Sequence, residues 1–291
     1  MSVDCDVIVV GAGPVGLTTA LLLRQFGHNV QVLERHAKRY PQPRAVVIFH
    51  QGVRAFGGLS LLDRMFESDA FQDIRGTVDE LFTYVDGEGQ TLARHPFNGK
   101  LSKSGTARSY AMHQPTLEGE LEKACQERGV IMHLSVEVKS VVDVGDHVEV
   151  GITKVNGVEK NSEPAGILTA WFVVGCDGAN STVRKSANTK FKEFEAASSR
   201  WLVVDVIPIT PNSSYQWKDG YHSKQYLDPK RPRTSVPSPS TRMRWEFMLM
   251  PDESTEMASS DEFIWKILSS FDCGPETAII ERRTVYSIGG G

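Results

Sequence analysis

Apolar positions in the first third of the chain fall into short runs separated by a longer periodic stretch. Asp6–Val10 and Val30–Leu33 are short and dense in β-branched residues, as buried strands are. Between them Pro14–Phe26 is long enough for a helix, with Pro14 in its first turn and Gly27 as its stop. The same reading places short helices near 50–56 and 60–66, and strands at 79–85 and 90–94 joined by the hairpin signal DGEG. From Pro115 to Gly129, Leu117, Leu121 and Ala124 share one helical face. Strands follow at 130–134, 136–143 and 147–153, the last alternating Val148, Val150 and Ile152. The loop KVNGVEKNSEPAG then leads to a buried strand at 167–174.

Beyond about residue 190 the pattern turns to strands: 201–207, 223–227, 233–237 and 242–250, then an amphipathic helix at 260–271 and a strand at 278–286. Met243, Trp245, Phe247 and Leu249 alternate onto one strand face, and core packing against the 260–271 helix is their expected role. The stretch PKRPRTSVPSPSTR reads as a long sheet loop rather than a domain linker.

Composition narrows the class. The chain has 291 residues, 40% hydrophobic and 23% charged, with a net charge of −4. That suits one large or two ordinary soluble domains, and gives no electrostatic footprint for nucleic acid. Residues 7–23 are apolar, but Asp4 and Asp6 stand where a signal peptide carries positive charge, and three glycines suit a membrane span badly. A cytoplasmic protein with no transmembrane segment is expected. Cys5, Cys125, Cys176 and Cys273 are far apart, with no CxxC pair, so reduced thiols and no metal site are expected.

Gly11-x-Gly13-x-x-Gly16 lies between the first strand and the first helix, the context a dinucleotide fingerprint requires. Gly11 permits the tight turn, Gly13 lets backbone approach a pyrophosphate, and Gly16 lets helix and strand pack closely. Glu34 ends the second strand 18 residues after Gly16, about where a carboxylate meets ribose hydroxyls. FAD and NAD both satisfy this motif. Arg35 reads either as a 2′-phosphate contact or as an exposed arginine. A second stretch, GCDGANSTVRKS at 175–186, ends a buried strand on Asp177-Gly178 and enters a helix. As a plain turn it needs only Asn180 or Ser181 as N-cap.

Together GAGPVG…VLER, PRA, HQPTLEGEL and VGCDGANSTVRKS resemble the FAD-dependent aromatic hydroxylases of the p-hydroxybenzoate hydroxylase type. SRWLVVDV and RWEFMLMP resemble the 3-(3-hydroxyphenyl)propionate hydroxylase branch. The resemblance implies an α/β fold, a Rossmann-like FAD-binding domain (1–76 and 106–190) interleaved with a β-rich substrate domain (77–105 and 191–286). It carries the turn Gly11, Gly13, Pro14, Val15 and Gly16, with Glu34 and Arg35, to the ADP half of FAD. Arg44 goes to the pyrophosphate and ribityl region, Gln114 to a hydrogen bond with FAD, and Asp177 and Gly178 to the flavin and nicotinamide.

The implied activity is hydroxylation of a small phenolic or related aromatic substrate with O₂ and NADH or NADPH, through a C4a-hydroperoxyflavin. No catalytic side chain is assigned. Tyr226, His222, Arg233 and Arg244 are candidates to meet a phenol or carboxylate, with surface arginines the plainer reading. Members of that family continue past an ERR…Y strand to a Gly-Asp strand end beside the ribityl chain. This sequence stops at ERRTVYSIGGG, so 287–291 reads as a truncated tail and the fold as incomplete at the C-terminus. The alternatives are then a non-catalytic flavoprotein remnant and an NAD(P)-dependent dehydrogenase using the N-terminal fold. A homo-oligomer or a complementing C-terminal partner also enters as an expectation.

Overall fold

The structure is a computed structural model, and it describes residues 2–72, 80–96, 105, 109–155, 166–190, 199–210 and 223–288. Residues 156–165 of the expected loop, His222 and residues 289–291 of the expected tail lie outside these, while Ser287 and Ile288 end a strand rather than starting a tail. The first half contains β1 (Cys5–Val10), α1 (Pro14–Gln25), β2 (Val30–Glu34), β3 (Val47–Phe49), α2 (His50–Gly58), α3 (Leu62–Glu67), β4 (Phe71–Gln72), β5 (Glu80–Val85), β6 (Thr91–Pro96), β7 (Ser109–Met112) and α4 (Gln114–Glu127). The second contains β8 (Ile131–Leu134), β9 (Val136–Asp143), β10 (Val148–Lys154), β11 (Gly166–Gly175), α5 (Thr182–Ser186), β12 (Ser199–Pro208), β13 (Ser223–Tyr226), β14 (Arg233–Ser238), β15 (Arg242–Met248), α6 (Thr255–Ala258), α7 (Asp261–Leu268) and β16 (Ala278–Ile288).

The chain divides into two compact units. The first comprises Met1–Pro41, Ala55–Met65 and Pro115–Lys192. Its six-stranded sheet has the order β8-β2-β1-β11-β10-β9. β8, β2, β1 and β11 run parallel, and β10 and β9 continue as an antiparallel meander. β1 is central and covered on both faces, hence its uninterrupted apolar run, with Ile8 and Val9 fully buried. α1 makes the crossover from β1 to β2 and buries Gly16, Leu17, Ala20 and Leu21. α4 buries Leu117, Leu121 and Ala124, the face its spacing predicts.

The second unit comprises Gln42–Arg54, Phe66–Gln114 and Glu193–Gly291. Its seven-stranded sheet has the order β16-β12-β15-β14-β13-β5-β6, and β3-β7-β4 form a small sheet of their own. Met243, Trp245, Phe247 and Leu249 join Leu202, Val204 and Val206 in one cluster with Ile264 and Leu268 of α7. The alternating face therefore is core. α7 starts cleanly because Ser260 caps it, its Oγ accepting from Phe263 N at 3.3 Å.

The compact units divide the chain at other places than the domains that the resemblance implies. Residues 42–54, 66–72 and 109–114, grouped there with the nucleotide domain, fall in the second unit, where β3, β7 and β4 pair. Within PKRPRTSVPSPSTR, β14 (Arg233–Ser238) is the strand that the pattern places at 233–237. Pro237 is tolerated because the pairing of β13 with β14 ends at Ser235, so its missing N–H interrupts no bond to β13.

Ile264 is fully buried in the α7 cluster, whereas Ile279 on β16 is 59% exposed. Ile264→Ala should cost about 2–5 kcal/mol in urea unfolding, and Ile279→Ala at most about 1 kcal/mol. Equal losses would place Ile264 outside the core.

Candidate functional site

The first unit gathers three strand ends. Gly11 N donates to Leu33 O at 2.8 Å, and Cys176 N donates to Val10 O at 2.8 Å. The carboxyl ends of β2, β1 and β11 are thereby tied together, with β2 and β11 on opposite sides of β1. In open α/β sheets that is where ligands bind.

Glycine is required there twice. Gly11 has φ +102°, and a Cβ on it would lie 2.5 Å from Cys176 O. A Cβ on Gly16 would lie 1.9 Å from Gly11 O. Gly13 differs: its backbone is extended, and a Cβ on it would meet nothing within 4 Å. The first and third glycines are demanded by packing, while the second borders open space at the start of α1. Gly13 gives that helix no side-chain cap, Pro14 occupies its first turn, and no acidic residue does. Val15, next to it, is 68% exposed. The amino end of α1 thus keeps its partial positive charge for an anion.

Glu34 faces the same turn. Its Oε2 accepts from Ala12 N at 2.9 Å and its Oε1 from His36 N at 2.8 Å. Both oxygens retain capacity for a further donor such as a hydroxyl. Arg35 is exposed and donates to the His36 ring at 3.2 Å.

Asp177 is committed to local structure. Its carboxylate accepts from Ser181 Oγ at 2.5 Å, Thr182 N at 2.6 Å and Val183 N at 3.3 Å. Ser181 Oγ in turn accepts from Arg184 N at 3.0 Å. The two residues cap α5 jointly, with Gly178 at φ +79° making the turn between strand and helix. The cap is what holds Asp177 against the glycine turn, its Cα 3.1 Å from where a Gly11 Cβ would be. Burial raises the Cys176 thiol beside it above the ordinary range.

In the second unit, Gln114 is buried and its Oε1 accepts from Ala45 N at 2.8 Å, beside the exposed Arg44. Arg244 is not the surface arginine that its charge suggested. It is 4% exposed and grips Asp205 through Nε at 2.7 Å and Nη2 at 2.8 Å. Arg233 is paired with Asp228 at 2.9 Å and lies over the Tyr226 ring, 4.5 Å from its centroid, so Tyr226 is buried beneath it. Burial pushes the Glu246 carboxyl up, and burial with the neighbouring Glu246 pushes the Tyr286 phenol up to about 12.

Residues 4–286 match the family model described as FAD binding domain. The chain belongs to the FAD-binding domain family. It is 30% identical over 295 residues to the 3-(3-hydroxy-phenyl)propionate/3-hydroxycinnamic acid hydroxylase of Mycobacterium avium (strain 104), a match covering 98% of this chain and 47% of that protein. The protein of the same name from Comamonas testosteroni is 28% identical over 288 residues, covering 98% and 44%. The chain spans about half the length of these curated relatives.

Crystal structures of several proteins share its fold. That of p-nitrophenol 4-monooxygenase PnpA from Pseudomonas putida DLL-E4 superposes with a TM-score of 0.80 at 21% identity, covering 99% of this chain and 69% of that one. Aklavinone-11 hydroxylase, solved with FAD and aklavinone, gives 0.78 at 20%, covering 99% and 54%.

Within this FAD-binding family member, Gly11, Gly13, Gly16, Glu34, Asp177 and Gly178 converge at one end of the first sheet. Arg44 and Gln114 are neighbours in the second unit. The buried Arg244–Asp205 pair escaped the sequence reading, though one signal was present: Arg242, Arg244 and Glu246 are charges alternating with apolar residues along β15. Among the described residues no helix is long and apolar enough to cross a membrane. Nor does any group of three or more His, Cys, Asp or Glu among them fit a metal ion.

The two kinds of glycine separate by mutation. Gly16→Ala should lose about 3 kcal/mol or more of stability, since backbone rather than a flexible side chain blocks the Cβ. Gly13→Ala should stay within about 1 kcal/mol, and Asp177→Ala should cost about 1–2 kcal/mol through loss of the α5 cap. Thermal melts check all three; a Gly13→Ala loss as large as that of Gly16→Ala would contradict the assignment.

Proposed function

We propose that this chain acts in the FAD-dependent hydroxylation of a phenolic aromatic substrate with NADH or NADPH and O₂. The observation carrying this reading is the open backbone at Gly13, set between an uncapped helix end and the Glu34 carboxylate. A dinucleotide needs those two groups side by side, a donor-rich positive end for its pyrophosphate and an acceptor for its ribose. The family model favours FAD as the dinucleotide, and the relatives' names favour a phenol that carries an acid side chain.

When bound, FAD supplies the redox chemistry, taking hydride from the nicotinamide and passing oxygen to the ring. The protein's own part is binding and orientation. Backbone N–H groups at the amino end of α1 bind the pyrophosphate, and Gly13 lets it come close. Glu34, already oriented by Ala12 N and His36 N, accepts from the ribose hydroxyls of the ADP half. Arg44 is a further FAD-binding cation by the resemblance, and Gln114 Oε1 accepts from Ala45 N in the segment that carries it. Asp177 and Gly178 form the edge of the glycine turn.

Equilibrium dialysis against FAD and NAD tests the cofactor. FAD should be preferred, and Gly13→Val should weaken it roughly tenfold or more with the melting temperature kept. Retention of NAD with no affinity for FAD would overturn the reading. For the substrate class, phenolic acids should raise NAD(P)H oxidation above the flavin-only rate. A broad panel of phenols without effect would remove the hydroxylase assignment while leaving the FAD site.

A further inference from the structure

A glycine inside a helix gives up stability that alanine would supply. α4 nevertheless carries Gly119, and it is buried because the Arg39 guanidinium occupies the place of its side chain. A Cβ on Gly119 would lie 2.4 Å from Arg39 Nη1. From this seat Arg39 Nη1 donates to Pro115 O at 3.0 Å, and its Nε pairs with Glu122 Oε2 at 2.9 Å. The two paired side chains are 45% and 21% exposed, and an ion pair so open to water adds little stability. The helix gives up a side chain for a contact that returns little stability, so what the contact secures is position.

Arg39 belongs to the segment 35–41, which is exposed throughout and outside every helix and strand. The segment follows directly on Glu34, the end of β2. Within it His36 is tied through both its N–H and its carbonyl. Its N donates to Glu34 Oε1 at 2.8 Å, and its O accepts from Ser135 N at 3.3 Å. β2 fixes one end of this bend, and α4 fixes the other through Arg39. Glu34, His36, Arg39, Gly119, Glu122 and Ser135 all lie in the first unit, which also contains the glycine turn.

We infer that Arg39, seated on Gly119, is a positioning residue for Glu34: it holds the 35–39 bend closed, so that His36 N keeps the Glu34 carboxylate in the orientation that accepts a ribose hydroxyl. The inference rests on the proposed reading of Glu34 as the acceptor for the ribose of the ADP half. Where the bend opens, Glu34 Oε1 loses its partner. A carboxylate free to rotate must then be ordered on binding, which weakens the complex without removing a contact. The arrangement also accounts for arginine at 39. Its fork reaches a carbonyl through Nη1 and a carboxylate through Nε, two donors fixed in one plane.

Calorimetric titration of the full chain with ADP, and with the dideoxyribose analogue of ADP that lacks both ribose hydroxyls, tests this beside a thermal melt of each variant. Wild-type protein should prefer ADP, and Glu34→Gln should remove most of that preference. Arg39→Ala should weaken ADP by roughly threefold or more while leaving the dideoxy analogue within about twofold of wild type. Gly119→Ala should do the same with a melting temperature that does not fall, because alanine evicts the guanidinium while improving the helix. The double variant should be no weaker than the worse single one, since both remove the same contact. A purely structural role for Arg39 weakens both nucleotides alike, and that result overturns the inference. So does ADP binding unchanged in Arg39→Ala or in Gly119→Ala. The levels of failure are distinct. Wild-type protein that binds neither ADP nor FAD refutes the proposed function and this inference together. Wild-type binding of ADP that Glu34→Gln leaves untouched refutes Glu34 as the ribose acceptor, and equal losses for the two nucleotides refute positioning alone.

Discussion

In the first unit, backbone meets backbone at the glycine turn with no room for a side chain between. The carbonyl of Gly11 lies where a Cβ on Gly16 would be, and the carbonyl of Cys176 lies where a Cβ on Gly11 would be. Only glycine at both positions lets β1 turn into α1 while β11 ends alongside. The rest of the site follows from that closeness. It brings Ala12 N within reach of Glu34, aims the amino end of α1 outward, and leaves Gly13 as the one glycine of the three facing open space. Packing and ligand chemistry are thus served by different glycines of one motif.

Polar groups elsewhere obey the same economy of position. The Asp177 carboxylate accepts from Ser181 Oγ and the first amides of α5. Its service to the site is to hold the end of β11 in place. Arg244 and Asp205 spend buried charge on two loop carbonyls. In both cases a charged side chain works on the backbone, the part of the chain that cannot be optimised by changing residue type.

How far the sequence disclosed this depends on the range of the interactions involved. β1, α1 and β2 were legible because their apolar spacing and glycines are local, and the face of β15 because strict alternation marks it. Glu34 was legible through its distance from the glycine turn. β3, β4 and β7 were not, being two to four residues long and paired with partners distant in sequence. Arg244 was misread because an arginine at an alternating position reads as solvent-facing, and its partner Asp205 is 39 residues away. For Asp177 the sequence left a turn and a cofactor contact both open; the capping bonds supply the turn, while a role toward the cofactor is the part that remains to be measured.

The central claim is that the backbone between Gly11 and Gly16 receives the cofactor's pyrophosphate. Amide resonances of isotope-labelled protein, followed through a titration with FAD, test it most directly. The account predicts the largest shifts at Gly13, Val15 and Gly16, with Ala12 and His36 moving as the Glu34 carboxylate takes up a ribose. Saturable FAD binding that leaves those amides unmoved, with the shifts gathered elsewhere in the chain, would contradict it.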